Sequence, residues 1–147
     1  MSNNILKGKR GIIFGALDNK SIAWKVAQHA YLEGAKFTLT NAPIALRMGS
    51  IDDLAKETKS KVIAADATST DDLKNLFEIS MQELGGKIDF ILHSIGMSVN
   101  VRKGRKYYEQ NYDWNMKGYD VSALSFHKTI QTAWELDAMN EWGSIIG

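Results

Sequence analysis

Five short β-favouring runs constrain the fold of this chain more than any other feature: Gly11 to Phe14, Phe37 to Thr40, Lys61 to Ala65, Ile88 to Leu92 and Ser144 to Ile146. Stretches of helical periodicity separate them. Parallel neighbours need a connection long enough to return across one face of the sheet, so the alternation calls for parallel strands joined by right-handed crossovers. The pattern predicts an α/β fold, a Rossmann-like doubly wound parallel sheet with strand order 3-2-1-4-5 for the part present. At 147 residues the chain suits one domain spanning 1–147. Folding at this size buries about 68–70% of the unfolded chain's surface, so no covalent staple is needed.

Capping signals place the helices. Ser21 is a good N-cap and Gly34 a good stop for a first helix, with Ile22, Val26 and Ala30, joined by Ala27 and Tyr31, on one face. A second helix falls within Ser50 to Lys59, capped by Ser50, with Asp52 and Asp53 in its first turn and Ile51, Leu54 and Ala55 facing inward. A third runs from Thr70 to Leu84, presents Leu73, Leu76, Phe77 and Met81, and ends at Gly85-Gly86. A long apolar-faced helix is expected over Tyr112 to Met139, after which Trp142-Gly143 leads into the last strand. Between the fourth strand and that helix lies the polar, basic and aromatic segment Asn100 to Asn111. Two roles are open to it: a solvated connection, or a loop at the carboxyl edge of the sheet where ligands bind in such folds. There is no internal repeat and no low-complexity segment.

Several function classes fall away. The chain has no cysteine, which removes disulfides, thiolate metal sites and thiol nucleophiles and suits a reducing, cytoplasmic setting. Its 18 basic and 17 acidic side chains leave a net charge of +1, far from the basic footprint of a nucleic-acid binder. No apolar stretch resembles a signal peptide or approaches the roughly 20 residues that cross a bilayer, so neither nucleic acid nor membrane is an expected partner.

The first strand stops at Gly15, a polar turn follows, and helical spacing begins at Ser21. A glycine there allows close backbone approach, and the unpaired N–H groups of a helix's first turn favour a phosphate. The spacing is not Gly-x-Gly-x-x-Gly, so the turn alone is a weak signal. Two further signals join it. Asp66-Ala67 follows the third strand and His93-Ser94-Ile95-Gly96 the fourth, and the topology brings both turns to the switch point beside Gly15. Asp66 can accept from an adenine amino group or simply close a turn. Gly96 can border a ribose or merely end a strand. His93 is open between a hydrogen-bonded strand-end residue and a catalyst.

With Gly15 followed six residues later by Ser21-Ile22-Ala23, Asp66 after the third strand and His93-Ser94-Ile95-Gly96 after the fourth, the chain resembles the bacterial NADH-dependent enoyl-acyl-carrier-protein reductases. These are divergent members of the short-chain dehydrogenase/reductase superfamily. The likeness extends along essentially the whole chain, including Asp120-Val121-Ser122 and Ser125-Phe126. It implies that Gly15, Ser21 and Ile22 hold the pyrophosphate of NADH, Asp66 and Ala67 the adenine, and Ser94, Ile95 and Gly96 the nicotinamide ribose. Gly96, Met97 and Ser98 would border the acyl substrate. The implied reaction transfers a hydride to the β-carbon of a trans-2-enoyl thioester on acyl carrier protein, the last step of each fatty-acid elongation cycle.

The resemblance also implies a catalytic Tyr-x6-Lys pair beyond the fifth strand, and so beyond Gly147. Tyr107, Tyr108, Tyr112 and Tyr119 all precede that strand, so no catalytic residue is assigned. The expectation is the amino-terminal half of a longer reductase, inactive by itself. A different short-chain reductase and a non-catalytic nucleotide-binding module are the alternatives. NADPH stays open beside NADH, because the second strand ends in neutral Thr40-Asn41-Ala42-Pro43 with Arg47 nearby; Arg47 either meets a 2′-phosphate or is simply solvated. A homotetramer built through the long helix is the implied assembly, with Leu124, Ile130 and Trp134 open between interface and intramolecular packing.

Overall fold

The computed structural model describes residues 3–147. Strands β1 (Arg10–Phe14), β2 (Lys36–Asn41), β3 (Lys61–Ala64), β4 (Ile88–His93) and β5 (Met139–Ile146) form one sheet. Its order is β3-β2-β1-β4-β5 and every neighbouring pair is parallel, as the alternation of runs predicts. In register, Phe14 lies opposite Thr40 on one side and His93 on the other. The carboxyl ends of β1, β2 and β4 are therefore level, and the loops leaving them start side by side.

Alternate residues of the buried strands point to opposite faces, so the sheet builds two cores. Ile12 and Phe14 of β1 join Ile88 and Ile91 of β4 against Leu73, Leu76 and Phe77 of helix α4 (Thr70–Leu84) and Ala133. Ile13 joins Phe37 and Leu39 against Ala23, Trp24, Ala27 and Ala30 of helix α1 (Ile22–Leu32), with Ile51 and Leu54 of helix α3 (Ile51–Thr58) beneath. Each fully buried large apolar side chain contributes on the order of 1.5–3 kcal/mol. Helix α4 has the predicted limits: Ser69 Oγ accepts from Asp72 N–H at 3.2 Å, and Gly85 ends it with φ +75°.

Three expectations need correction. The inward face of α1 is Ala23, Ala27 and Ala30 with Trp24, whereas Ile22 is 74% exposed and Val26 also faces outward. The small alanines win because they let the helix approach the sheet closely, and the branched residues are left outside. A short helix α2 (Pro43–Met48), opened by Pro43 in its first turn, occupies what reads in sequence as a strand end and loop. Finally, the long helix stops well before Met139, which begins β5. It comprises α6 (Tyr112–Tyr119), a π-helical turn (Asp120–Leu124) and α7 (Ser125–Glu135). After Leu136 the chain closes with Asp137 N–H to Trp134 C=O at 3.1 Å and Ala138 N–H to Ala133 C=O at 2.9 Å. This is a Schellman closure whose left-handed residue is Asp137, φ +47°, in place of the glycine a sequence pattern relies on.

The segment from Asn100 to Asn111 holds helix α5 (Val99–Arg102) and a 3₁₀ turn (Tyr107–Glu109). It is a pinned loop. Asn100 is fully buried and donates to Asn111 C=O and Asn115 Oδ1, both at 2.9 Å, while its Oδ1 accepts from Asn111 N–H at 3.0 Å.

Candidate functional site

The level ends of β1, β2 and β4 enclose a crevice of about 130 Å³. Gly15 and Leu17 line it from the first loop, Asn41 and Ala45 from β2 and α2, and Ser94, Ile95 and Gly96 from the loop after β4; Arg102 closes its rim. Gly15 takes φ +90°, and a Cβ added there would sit 1.9 Å from Ser94 C=O. Only glycine allows the two loops to touch, so this residue fixes the crevice before any ligand arrives. Its N–H donates to Thr40 C=O at 3.1 Å, tying the third wall to the other two.

Ser21 occupies the N-cap position of α1 without capping it. Its Oγ accepts instead from Leu17 N–H and Asp18 N–H, each at 3.1 Å, and Asp18 Oδ1 accepts from Lys20 N–H at 2.9 Å. The hydroxyl therefore knits the loop and leaves the first-turn N–H groups of an 11-residue helix uncapped. The first return bond, Lys25 N–H to Ser21 C=O, is long at 3.4 Å. Open N–H groups and the positive end of the helix dipole together suit an anion.

Asp66 is exposed just after β3, where its Oδ1 accepts from Thr68 N–H at 2.9 Å and Thr68 Oγ1–H at 2.7 Å. The turn-forming role thus uses one carboxylate oxygen and leaves Oδ2 to a further donor. Ala67 is buried in the α4 core.

Behind the crevice, His93 is 4% exposed, with its ring 5.8 Å from Phe14 and 5.3 Å from Phe126 between centroids. Ser125 O–H donates to Val121 C=O at 2.7 Å. With its only proton so committed, Ser125 Oγ must accept the 2.8 Å bond from His93 Nε2–H, which fixes the tautomer. Burial pushes the imidazole pKa below its ordinary value, partly opposed by a bond with its own backbone. A buried ring held through Nε2 by Ser125 between two aromatic rings is a structural strut, the strand-end alternative of the two open in sequence.

The floor towards Met97 is set by the π-helical turn. Ser122 Oγ accepts from Met97 N–H at 3.0 Å and donates to Met97 C=O at 3.3 Å, so both backbone groups of one residue are held by one hydroxyl. A widened turn that re-aims a side chain is a frequent device at functional sites.

A family model described as Enoyl-(Acyl carrier protein) reductase matches residues 15–147. The chain belongs to the enoyl-acyl-carrier-protein reductase family. Among its relatives, enoyl-[acyl-carrier-protein] reductase [NADH] 1 of Rhizobium meliloti (strain 1021) is 32% identical over 146 residues, which is 99% of this chain and 52% of the relative. The FabI enzyme of Rickettsia bellii (strain RML369-C) is 33% identical over 150 residues, covering 99% and 55%. Among solved structures, a FabI–NADH complex from Alistipes finegoldii shares 57% identity with a TM-score of 0.94 over 97% of this chain and 50% of that one. The chain spans about half the length of the relatives it matches.

Of the residues singled out in sequence, the reductase fold brings Gly15, Ser94, Ile95 and Gly96 into one crevice. Ser21 and Ile22 begin α1 and border a different, larger groove of about 520 Å³ formed with Ile5, Leu6 and Val26 on the outer side of that helix. That groove is largely apolar and runs along α1, separate from the crevice. Tyr107, Tyr108, Tyr112 and Tyr119 are exposed and do not line the crevice, and Arg47, exposed on the last turn of α2, does not line it either. Sequence reasoning gave no individual role to Asn100 and Arg102, named only within the segment Asn100 to Asn111, nor to Ser122 and Ser125, quoted only for the family likeness. The i, i+3 spacing of Ser122 and Ser125, continued by Thr129 and Thr132 on the buried side of α7, was the available signal.

Proposed function

We propose that this chain is the cofactor-binding portion of a cytoplasmic, NADH-dependent reductase of trans-2-enoyl thioesters carried by acyl carrier protein, acting in fatty-acid elongation. The observation that carries the proposal is Ser21: its hydroxyl serves the loop, so the first turn of α1 keeps its N–H groups for an anion at the end of the Gly15 loop. In this assignment Gly15, Ser21 and Ile22 hold the pyrophosphate. Asp66 accepts from the adenine amino group through its spare oxygen beside Ala67, and Ser94, Ile95 and Gly96 border the nicotinamide ribose. The residues present fit such a group, because a Cβ at Gly15 would close the crevice and the chain itself leaves the helix terminus uncapped. When bound, the reduced nicotinamide supplies the hydride.

The chain's own contribution is binding and orientation. Ser122 holds Met97 through both backbone groups, which sets the course of Gly96, Met97 and Ser98 along the proposed acyl site. None of the described tyrosines lines the crevice, so residues 1–147 alone are expected to bind NADH without turnover. The outward side of α6 and α7, with Leu124, Ile130 and Trp134, is the proposed surface for a homo-oligomer.

Fluorescence titration of NADH into the purified chain, alongside NADH oxidation with a trans-2-enoyl thioester by the intact protein, tests both halves. Saturable binding by the chain and turnover by the intact protein are expected. Wild-type protein that binds neither NADH nor NADPH would overturn the assignment.

A further inference from the structure

We propose that Arg102 is the phosphate-binding residue of the crevice rim, a guanidinium held ready for an anionic group of the bound dinucleotide; this rests on the cofactor assignment above. Arg102 is the single cation among the described residues that line the crevice. Its side chain has no hydrogen-bond or ion-pair partner among the described residues, whereas Lys9, Lys61, Lys74, Lys87 and Lys128 are each paired with a carboxylate.

Its backbone is fixed although its side chain is free. Ser98 Oγ accepts from Val101 N–H at 3.3 Å at the start of α5, Arg102 N–H donates to Ser98 C=O at 3.1 Å, and Arg105 N–H donates to Asn100 C=O at 3.0 Å. The buried Asn100 ties this turn to Asn111, as described above. A cation delivered by a pinned loop loses little backbone freedom on binding, which favours the contact. A planar guanidinium also matches phosphate through two parallel N–H bonds, which a flexible ammonium does not.

The opposite wall does not compete. At the end of β2, where an acidic residue would accept a ribose hydroxyl and repel a 2′-phosphate, stands Asn41. Its amide is already used: Nδ2 donates to Ala16 C=O at 3.2 Å and Oδ1 accepts from Ala42 N–H at 2.9 Å. Among the described residues, no carboxylate lines the crevice to neutralise Arg102 or to turn a phosphate away. Sequence proximity to β2 points to Arg47, but the folded chain presents Arg102. The shared chemistry is a nucleotide phosphate, from either the pyrophosphate of both dinucleotides or the 2′-phosphate of NADPH alone.

Affinities of the intact protein for NADH, NADPH and adenosine, measured for wild type and for Arg102→Ala, Arg102→Lys, Arg47→Ala and Lys103→Ala, test this. Arg102→Ala is expected to weaken NADH and NADPH by roughly tenfold, with a shallower salt dependence, while adenosine is unchanged. Arg102→Lys should recover part of the loss, and Arg47→Ala and Lys103→Ala should stay within about twofold of wild type. A loss confined to NADPH supports the same residue and assigns it the 2′-phosphate. Wild-type affinity of Arg102→Ala for both dinucleotides overturns the role of Arg102 and leaves the cofactor assignment intact. Failure of wild type to bind either dinucleotide removes both. Arg102 is exposed, so an unchanged melting temperature is expected and separates binding loss from misfolding.

Discussion

At the scale of single residues, two glycines with similar positive φ carry unequal burdens. Gly85 at φ +75° has nothing within 4 Å of an added Cβ, while Gly15 at φ +90° meets Ser94 C=O at 1.9 Å. Gly85→Ala is expected to cost only the left-handed penalty, about 1–2 kcal/mol. Gly15→Ala adds a backbone collision, so urea midpoints should fall further for it and NADH binding should be lost with the crevice. The sequence made Gly15 visible as a turn glycine, but its partner could not be read, because Ser94 lies 79 positions along the chain. His93 shows a similar limit: its place at a strand end was legible, and the hydroxyl that holds it was not. Burial lowers the pKa of His93 in the folded state, so below the ordinary value of 6.5 the unfolded chain binds more protons than the folded one. Stability from this residue is complete above that pH and is lost as pH falls through the folded value. Chemical denaturation between about pH 8 and pH 5 should show this decline, and His93→Gln, less stable at pH 8, should show a flatter profile.

At the scale of elements, legibility followed the residues that terminate each segment. Helix α4 could be delimited because Ser69 and Gly85 are standard caps, and α7 could not because Asp137 takes the left-handed position usually given to glycine. The face of α1 was misassigned because branched apolar residues dominate a periodicity count, while the close approach to the sheet selects Ala23, Ala27 and Ala30. The π-helical turn had no sequence signature at all, since it depends on what Ser122 reaches across space. Removing that hydroxyl tests the element. Ser122→Ala leaves Met97 N–H without its acceptor, at a cost of about 1–3 kcal/mol where the group stays shielded from water. Hydrogen exchange should show faster exchange of the Met97 amide, with α4 amides protected as in wild type; equal protection at Met97 would mean that the turn does not hold the loop.

For the molecule as a whole, the strand order was legible because alternating elements with short turns admit few topologies, and order alone places three carboxyl ends at one crevice. What order does not give is which outer surfaces stay bare. Leu124 and Ile130 are about two-fifths exposed, Trp134 is 81% exposed and Trp142 is 95% exposed. Ile130 and Trp134 sit together beside Met139 and Ile145; an exposed apolar patch of this kind is the proposed contact surface, and tryptophan contributes most at such contacts. Covering Trp134 in a homo-oligomer would bury a large apolar area, and a charge at that position would have to be desolvated instead. Sedimentation velocity should therefore show concentration-dependent association of the wild-type chain. Trp134→Lys should shift it towards monomer, weakening association by at least roughly tenfold. Because that side chain already meets water in the folded chain, the melting temperature of the dilute protein should change little. A variant that associates as wild type does would move the contact off α7, leaving the bare surface around Trp142 on β5 as the next face to alter.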